Sequence, residues 1–391
     1  MSSTSIVRVL DSTALERFDP GEELVLTPYP LSDPCNIGFE DEGRAPSDFD
    51  PSQADGKLIE EANPATRARL VIKERLSGAS ANGQKVLLCR VEQAPTDIEM
   101  NNAHVNHLSE ANLVIVKTFA SRPLYKWVPD GYRSHDHASG EPNSEAAVYQ
   151  HLYDNGLTGY PHLAPQYYGT WVFEKEQKGQ NACARDRYTS LIVMEYIHGV
   201  SIEQLGTRDW DRDNYGPLQL STAPIALYRN SDKTLLMDTE SRLRIFKTLL
   251  DGVVRKLHAG IFVDRMGLAP SKVLVSLRNN GKELEEPRVV SVGYYMDKVW
   301  SRTKEGRDLG KPMIAQQLDR PPHPALYFPA ISEVSDFQGW FPREWCTYDS
   351  DQFHGWLLSE SGFGPLDGNE KYSNLPDENA EYLGLSMFPV F

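Results

Sequence analysis

The chain has 391 residues, of which 40% are hydrophobic and 24% charged, and a formal net charge of −15. This composition can bury a sizeable core, and the negative balance argues against a general binder of nucleic acid or of anionic membrane. Four scattered cysteines, Cys35, Cys89, Cys183 and Cys346, form neither a disulfide framework nor a zinc spacing. That points to a reducing compartment. No apolar run is long enough for a signal peptide or a membrane helix, so a cytoplasmic or nuclear location is expected.

In chain order, residues 1–64 set Asp41, Glu42, Asp48, Asp50 and Asp55 among Pro, Ser and Gly. They are expected to form a loop-rich, partly disordered arm. Packing of this arm across the strands that follow is the second reading. Leu70–Leu76 and Lys85–Val91 read as paired strands, with Cys89 as a small core residue. The turn SGASANGQ between them carries Gly78 and Gly83, which any hairpin would favour. A polar insert, Pro95–Glu110, precedes the strand Leu113–Lys117. His135-Asp136-His137 lies in a Gly/Ser/Pro loop, and two histidines without a further ligand nearby read as solvated rather than metal-binding. A helix opens at Ser144-Glu145 and runs to Leu152. Two more strands, Ala164–Phe173 and Thr189–Ile197, flank a polar linker.

Gly206–Lys233 is expected to be an irregular surface loop. Leu243, Phe246, Leu249, Leu250, Val253, Val254 and Leu257 then recur at three- and four-residue steps, so a helix with one apolar face is expected, stopping at Gly260. An irregular connection, Asp264–Lys272, leads to a short buried strand, Val273–Leu277. Asn279-Asn280-Gly281 is a hairpin turn, and Val289–Tyr295 is the return strand. Beyond it SRTKEGRDLGKP reads as irregular, Tyr327–Pro329 and Phe337–Trp345 as aromatic packing segments, and Gln352–Leu358 as a last helix.

Several of these stretches resemble motifs of the protein-kinase-like superfamily, in its divergent fungal and aminoglycoside-phosphotransferase type. Val114-Ile115-Val116-Lys117 resembles the strand whose lysine holds nucleotide phosphates, and Glu145 stands where that lysine's helical partner would be. Met194-Glu195-Tyr196-Ile197 resembles the hinge, in which Glu195 and Ile197 offer main-chain groups to a planar base and Met194 lines the pocket. Leu257-His258-Ala259-Gly260-Ile261, Leu268–Val275 and Val289–Tyr295 resemble the catalytic-loop and metal-binding segments. The resemblance implies a bilobal α+β fold, with an antiparallel small lobe at residues 65–197, a reduced, mostly helical lobe at 198–364, and a tail at 365–391. The chemical residues depart from the family pattern. Gly267 stands at the catalytic Asp position, Lys272 at the metal-binding Asn position and Gly293 at the metal-binding Asp position. Phosphoryl transfer needs carboxylates and metal ligands at those places.

A binding or scaffold protein that has lost phosphoryl transfer is therefore expected, with a protein partner and with neither nucleic acid nor membrane. Its ATP binding would be weak and independent of magnesium, through Lys117, Glu145, Met194, Glu195, Ile197 and Lys272. The alternative is an ATP-dependent kinase of protein or small molecules that uses Asp264 as its catalytic carboxylate and Asp297 as a metal ligand. A structural protein that keeps only the fold is the third class.

Overall fold

Leu24 and Leu26 stand two residues apart on a strand whose other face carries Glu23 and Val25, and this alternation recurs around a ring of six strands. A computed structural model describes residues 18–28, 64–77, 85–96, 107–118, 142–174 and 188–375, apart from 212–213, 222, 228–232, 264–266, 295 and 348–349. The turn with Gly78 and Gly83, the His135-Asp136-His137 loop, Asp264 and the end of the tail lie outside these residues.

The strands are β1 (Glu23–Pro28), β2 (Ala68–Arg75), β3 (Lys85–Gln93), β4 (Leu113–Thr118), β5 (Tyr167–Glu174) and β6 (Tyr188–Glu195), with helix α1 (Pro142–Asp154) between β4 and β5. They close into an antiparallel barrel in the order β1-β2-β3-β4-β6-β5. Closure is made by β1, where Leu24 faces Leu70 on β2 and Leu26 faces Phe173 on β5. The barrel interior is filled by Leu24, Leu26, Leu70, Ile72, Leu87, Cys89, Val114, Val116, Trp171, Leu191 and Val193, with Phe18 at one end. Burial pushes the Cys89 thiol up to about 12, so it behaves as a small apolar residue.

A second, larger core lies outside the barrel. Ile192 and Met194 alternate with the inward Leu191 and Val193, and they pack with Tyr167 against Ala146, Val148, Tyr149 and Leu152 of α1. The same core continues into α2 (Thr239–His258), which buries Ile245, Phe246, Leu249, Leu250, Val253, Val254 and Leu257. Asp238 caps the start of α2 by accepting from the Ser241 N–H at 2.8 Å. At its end Gly260 takes φ +86, as expected for a helix stop. Strands β7 (Val200–Ser201), β8 (Val273–Asn279) and β9 (Lys282–Ser291) form a three-stranded sheet in the order β9-β8-β7. The β8–β9 hairpin turns at Asn280 and Gly281, both with positive φ, as its sequence implies. The aromatic segments pack together: Phe246 meets Phe337, Phe341 and Phe353 edge-on, at 5.2, 4.7 and 6.5 Å.

This architecture overturns the bilobal kinase-like fold that the motifs imply. A small open sheet over a helical lobe would leave free edges. Here the strand from the expected loop-rich arm pairs with β2 and β5 at once and closes the sheet on itself. Outside the barrel, α1 and α2 are the long helices among the described residues; the others run seven residues or fewer, between two- and three-stranded sheets. The segment expected to be irregular after Tyr295 contains a short helix, Lys304–Leu309. Its cap is Thr303, which accepts from Gly306 N–H, and Gly310 closes it in the left-handed region.

Trp171 is fully buried in the barrel and donates its indole N–H to Tyr168 O at 3.0 Å. Trp171→Ala is expected to destabilise the chain by about 3–5 kcal/mol, read as a lower urea midpoint. His323 gives a pH signature. Its Nδ1 accepts from Ala325 N–H at 3.1 Å and its Nε2 meets Gly364 O at 3.1 Å, so the ring is held neutral, and burial lowers its pKa from the ordinary value. A lowered folded pKa contributes stability that is full above the unfolded value, about 6.5, and lost as pH falls through the folded one. Between pH 7 and pH 5 the melting temperature of the wild type should therefore fall more steeply than that of His323→Asn, which keeps a capping side chain but does not titrate.

Candidate functional site

The seam between the barrel and the second core gathers the charged residues that the sequence singles out. Lys117 lies near the end of β4, opposite Val86 and Ile192 in the two neighbouring strands. From there its ammonium bonds to Glu145 in the first turn of α1. The expected strand-to-helix pair thus forms, and it is buried, Glu145 almost completely. Its second carboxylate oxygen, Oε1, has no hydrogen-bond partner among the described residues. One helical turn on, Tyr149 stacks on Tyr167 at 5.9 Å and contacts Tyr294 at 4.9 Å. Burial, and then the nearby Glu145 charge, push its phenol well above the ordinary range.

A second buried pair also meets Tyr294. Lys256 donates to Asp297 Oδ2 at 2.8 Å, and its ammonium sits 4.2 Å from the Tyr294 ring centre. Tyr294 in turn donates to Ser291 O at 2.7 Å, and burial raises its pKa beyond the ordinary tyrosine range. Lys256 was missed in the sequence, yet a signal was there. It falls on the apolar stripe of α2, three residues after Val253 and beside Leu257, where a lysine must find a partner.

The remaining candidate positions converge on the same seam. A side chain at Gly267 would approach Asp297 Oδ1 to 3.7 Å, and one at Gly293 would meet the Lys272 side chain at the same distance. Lys272 donates to Gly267 O at 3.1 Å. Gly293 has φ +78, a conformation that an L residue adopts only under strain. Asp264 lies outside the described residues. The structure thus brings Lys272, Gly267, Gly293 and Asp297 together, and Lys117 with Glu145.

The expected hinge residues have other partners. The Glu195 carboxylate is held bidentately by Arg288 of β9, at 2.6 and 2.8 Å, and accepts from Gln166 N–H at 3.0 Å. Its own N–H donates to Gln166 O at 2.8 Å. Arg288 also donates to Asn279 on β8. Met194 is buried in the second core, and Ile197 O accepts from Gly199 N–H. Glu195 therefore contributes its side chain as a structural partner, where main-chain contacts to a base were expected.

No protein-family model matches this chain, and no curated protein is significantly similar to it. The kinase-like resemblance consequently rests on short motifs alone, and the closed barrel contradicts the architecture they imply. Among the described residues no three His, Cys, Asp or Glu side chains come together in a way that could hold a metal ion.

Lys256 and Asp297 give a clean test of the seam. Breaking a buried pair by removing one partner costs about 3–5 kcal/mol, whereas removing both can be nearly neutral. Lys256→Met and Asp297→Leu should each lower stability by that order. The double variant should recover much of the loss, measured as a coupling energy in denaturant unfolding.

Proposed function

We propose that this is a binding or scaffold protein that carries out no phosphoryl transfer. The observation that carries this reading is the pairing of the seam carboxylates. Glu145 holds Lys117, Asp297 holds Lys256, and Glu195 holds Arg288. A carboxylate already bonded to a buried cation at 2.8 Å is poorly placed to take a proton from an acceptor or to ligate a divalent metal. Gly267, beside Asp297, and Gly293, beside Lys272, add no side chain there. The charge of −15 disfavours nucleic acid and anionic membrane, which supports a protein as the partner.

The test is ATP turnover by the purified chain and by Asp264→Asn, alongside thermal shifts with ATP in the presence and absence of magnesium. No turnover above the blank is expected. ATP should raise the melting temperature slightly at most, and equally with or without magnesium, because a ligand stabilises only through its affinity for the folded state. Turnover that Asp264→Asn abolishes, or a large shift that requires magnesium, would overturn the reading.

A further inference from the structure

The strand that closes the barrel is joined to it in an unusual way. β1 lies between β2 and β5 and is antiparallel to both. Neighbouring antiparallel strands are ordinarily joined by two to five residues. From β1 to its neighbour β2 the chain instead runs through residues 29–67, and to its neighbour β5 the separation is longer still. β1 therefore relates to the other five strands much as a tethered peptide does to a receptor. Without it, β2-β3-β4-β6-β5 remain a contiguous sheet in which each pairing is intact. Its two edges would then present unpaired main-chain groups.

The contacts of β1 are those of a strand-addition ligand. Main-chain pairing runs along both sides, and Gly21 N–H and Glu22 O bond to Ile72 at 2.8 and 3.0 Å. Side chains enter the barrel at alternate positions, Leu24 and Leu26, and Phe18 caps the end beneath the Lys85 ammonium, 4.6 Å from its ring centre. The opposite face carries Val25, more than a third exposed, and Glu23, in an exposed pair with Arg69 at 3.3 Å that adds little. Such a slot reads an extended backbone with large apolar residues two apart, and little else.

We infer that the slot between β2 and β5 is a strand-docking site, held in cis by β1, and that it accepts an extended segment of a partner protein with the pattern of an aromatic followed by Leu-x-Leu. This rests on the binding-protein reading and names where the partner docks. Because β1 belongs to the same chain, it competes for the slot as an intramolecular ligand. The partner segment must therefore bring further contacts or act when β1 is released.

The experiment uses the full chain. In the wild type, hydrogen exchange should show the β1-facing amides of β2 and β5 opening at least about tenfold faster than amides of β3, β4 and β6, as a separable unit would. Equal protection in all six strands would overturn the inference. In the full chain carrying Leu24→Glu and Leu26→Glu, a labelled peptide spanning Phe18–Pro28 should bind saturably by fluorescence anisotropy. The wild type should bind it about 100-fold more weakly. A peptide with Ser in place of both leucines should not bind. Failure of the double variant to fold would make β1 an integral strand, and a folded variant that ignores the peptide, or binds the Ser peptide equally, would remove the site; each result overturns the proposal. A wild-type dimer that exchanges β1 between copies would assign the slot to a second copy instead. Exchange and peptide binding report on the strand, and ATP turnover reports on the seam, so either reading can fail without the other.

Discussion

Taking a charge out of water costs several kcal/mol unless a partner meets it where it is buried. This chain does so three times along one seam. Lys117–Glu145 ties the barrel to α1, Lys256–Asp297 ties α2 to the loop after β9, and Arg288–Glu195 ties the second sheet to the end of β6. None of the three is expected to contribute much net stability compared with well-packed apolar residues of the same size. What they fix is placement, because an alternative packing that slides one element past another would strand a charge without its partner. Arg288 is the most demanding of them. Its guanidinium engages Glu195 bidentately and Asn279 as well, and Glu195 also accepts from Gln166 N–H. Three segments of the chain must therefore be in place for these contacts to form together.

The same seam explains why β6 is apolar on both faces. Leu191 and Val193 fill the barrel while Ile192 and Met194 belong to the outer core. A one-residue slip of β6 would exchange the two sets, and hydrophobicity alone would hardly resist it, since both faces are greasy. The ion pair at Glu195 and the register with β4 through Val114 and Ile115 supply the missing specificity. Polar residues at the ends of a doubly buried strand thus do what alternation does in an ordinary half-exposed one.

Local periodicity made most of the elements legible. α2 and its stop at Gly260, the Asn279–Gly281 hairpin and the barrel strands from β2 to β6 follow from period, turn chemistry and β-branched content. Two kinds of information were not local. The first is edge pairing: Glu23–Pro28 is a short Leu-Val-Leu strand in a segment rich in Pro, Gly and acid, and it becomes a strand only because two distant edges need it. Short motifs record the strand-and-turn spacing of a neighbourhood and say nothing of how a sheet ends, so a resemblance built on them could imply an open small lobe where a barrel forms. The second is the partner of a buried charge. Lys117 and Glu145 are paired by their context, whereas the partners of Lys256 and of the Glu195 side chain, Asp297 and Arg288, lie 41 and 93 residues away with no local pattern to link them.

The order in which the ribosome delivers these strands sets a timetable for the barrel. β1 emerges first, yet Leu26 must wait for Phe173 before its second edge exists. At about 5–20 residues per second, the intervening synthesis takes roughly 7–30 s. Through that interval an apolar strand and the growing sheet it belongs to are exposed together, with the last edge not yet made. Translation speed between β1 and β5 therefore bounds how early the barrel can close, whatever the speed at which the rest of the chain follows.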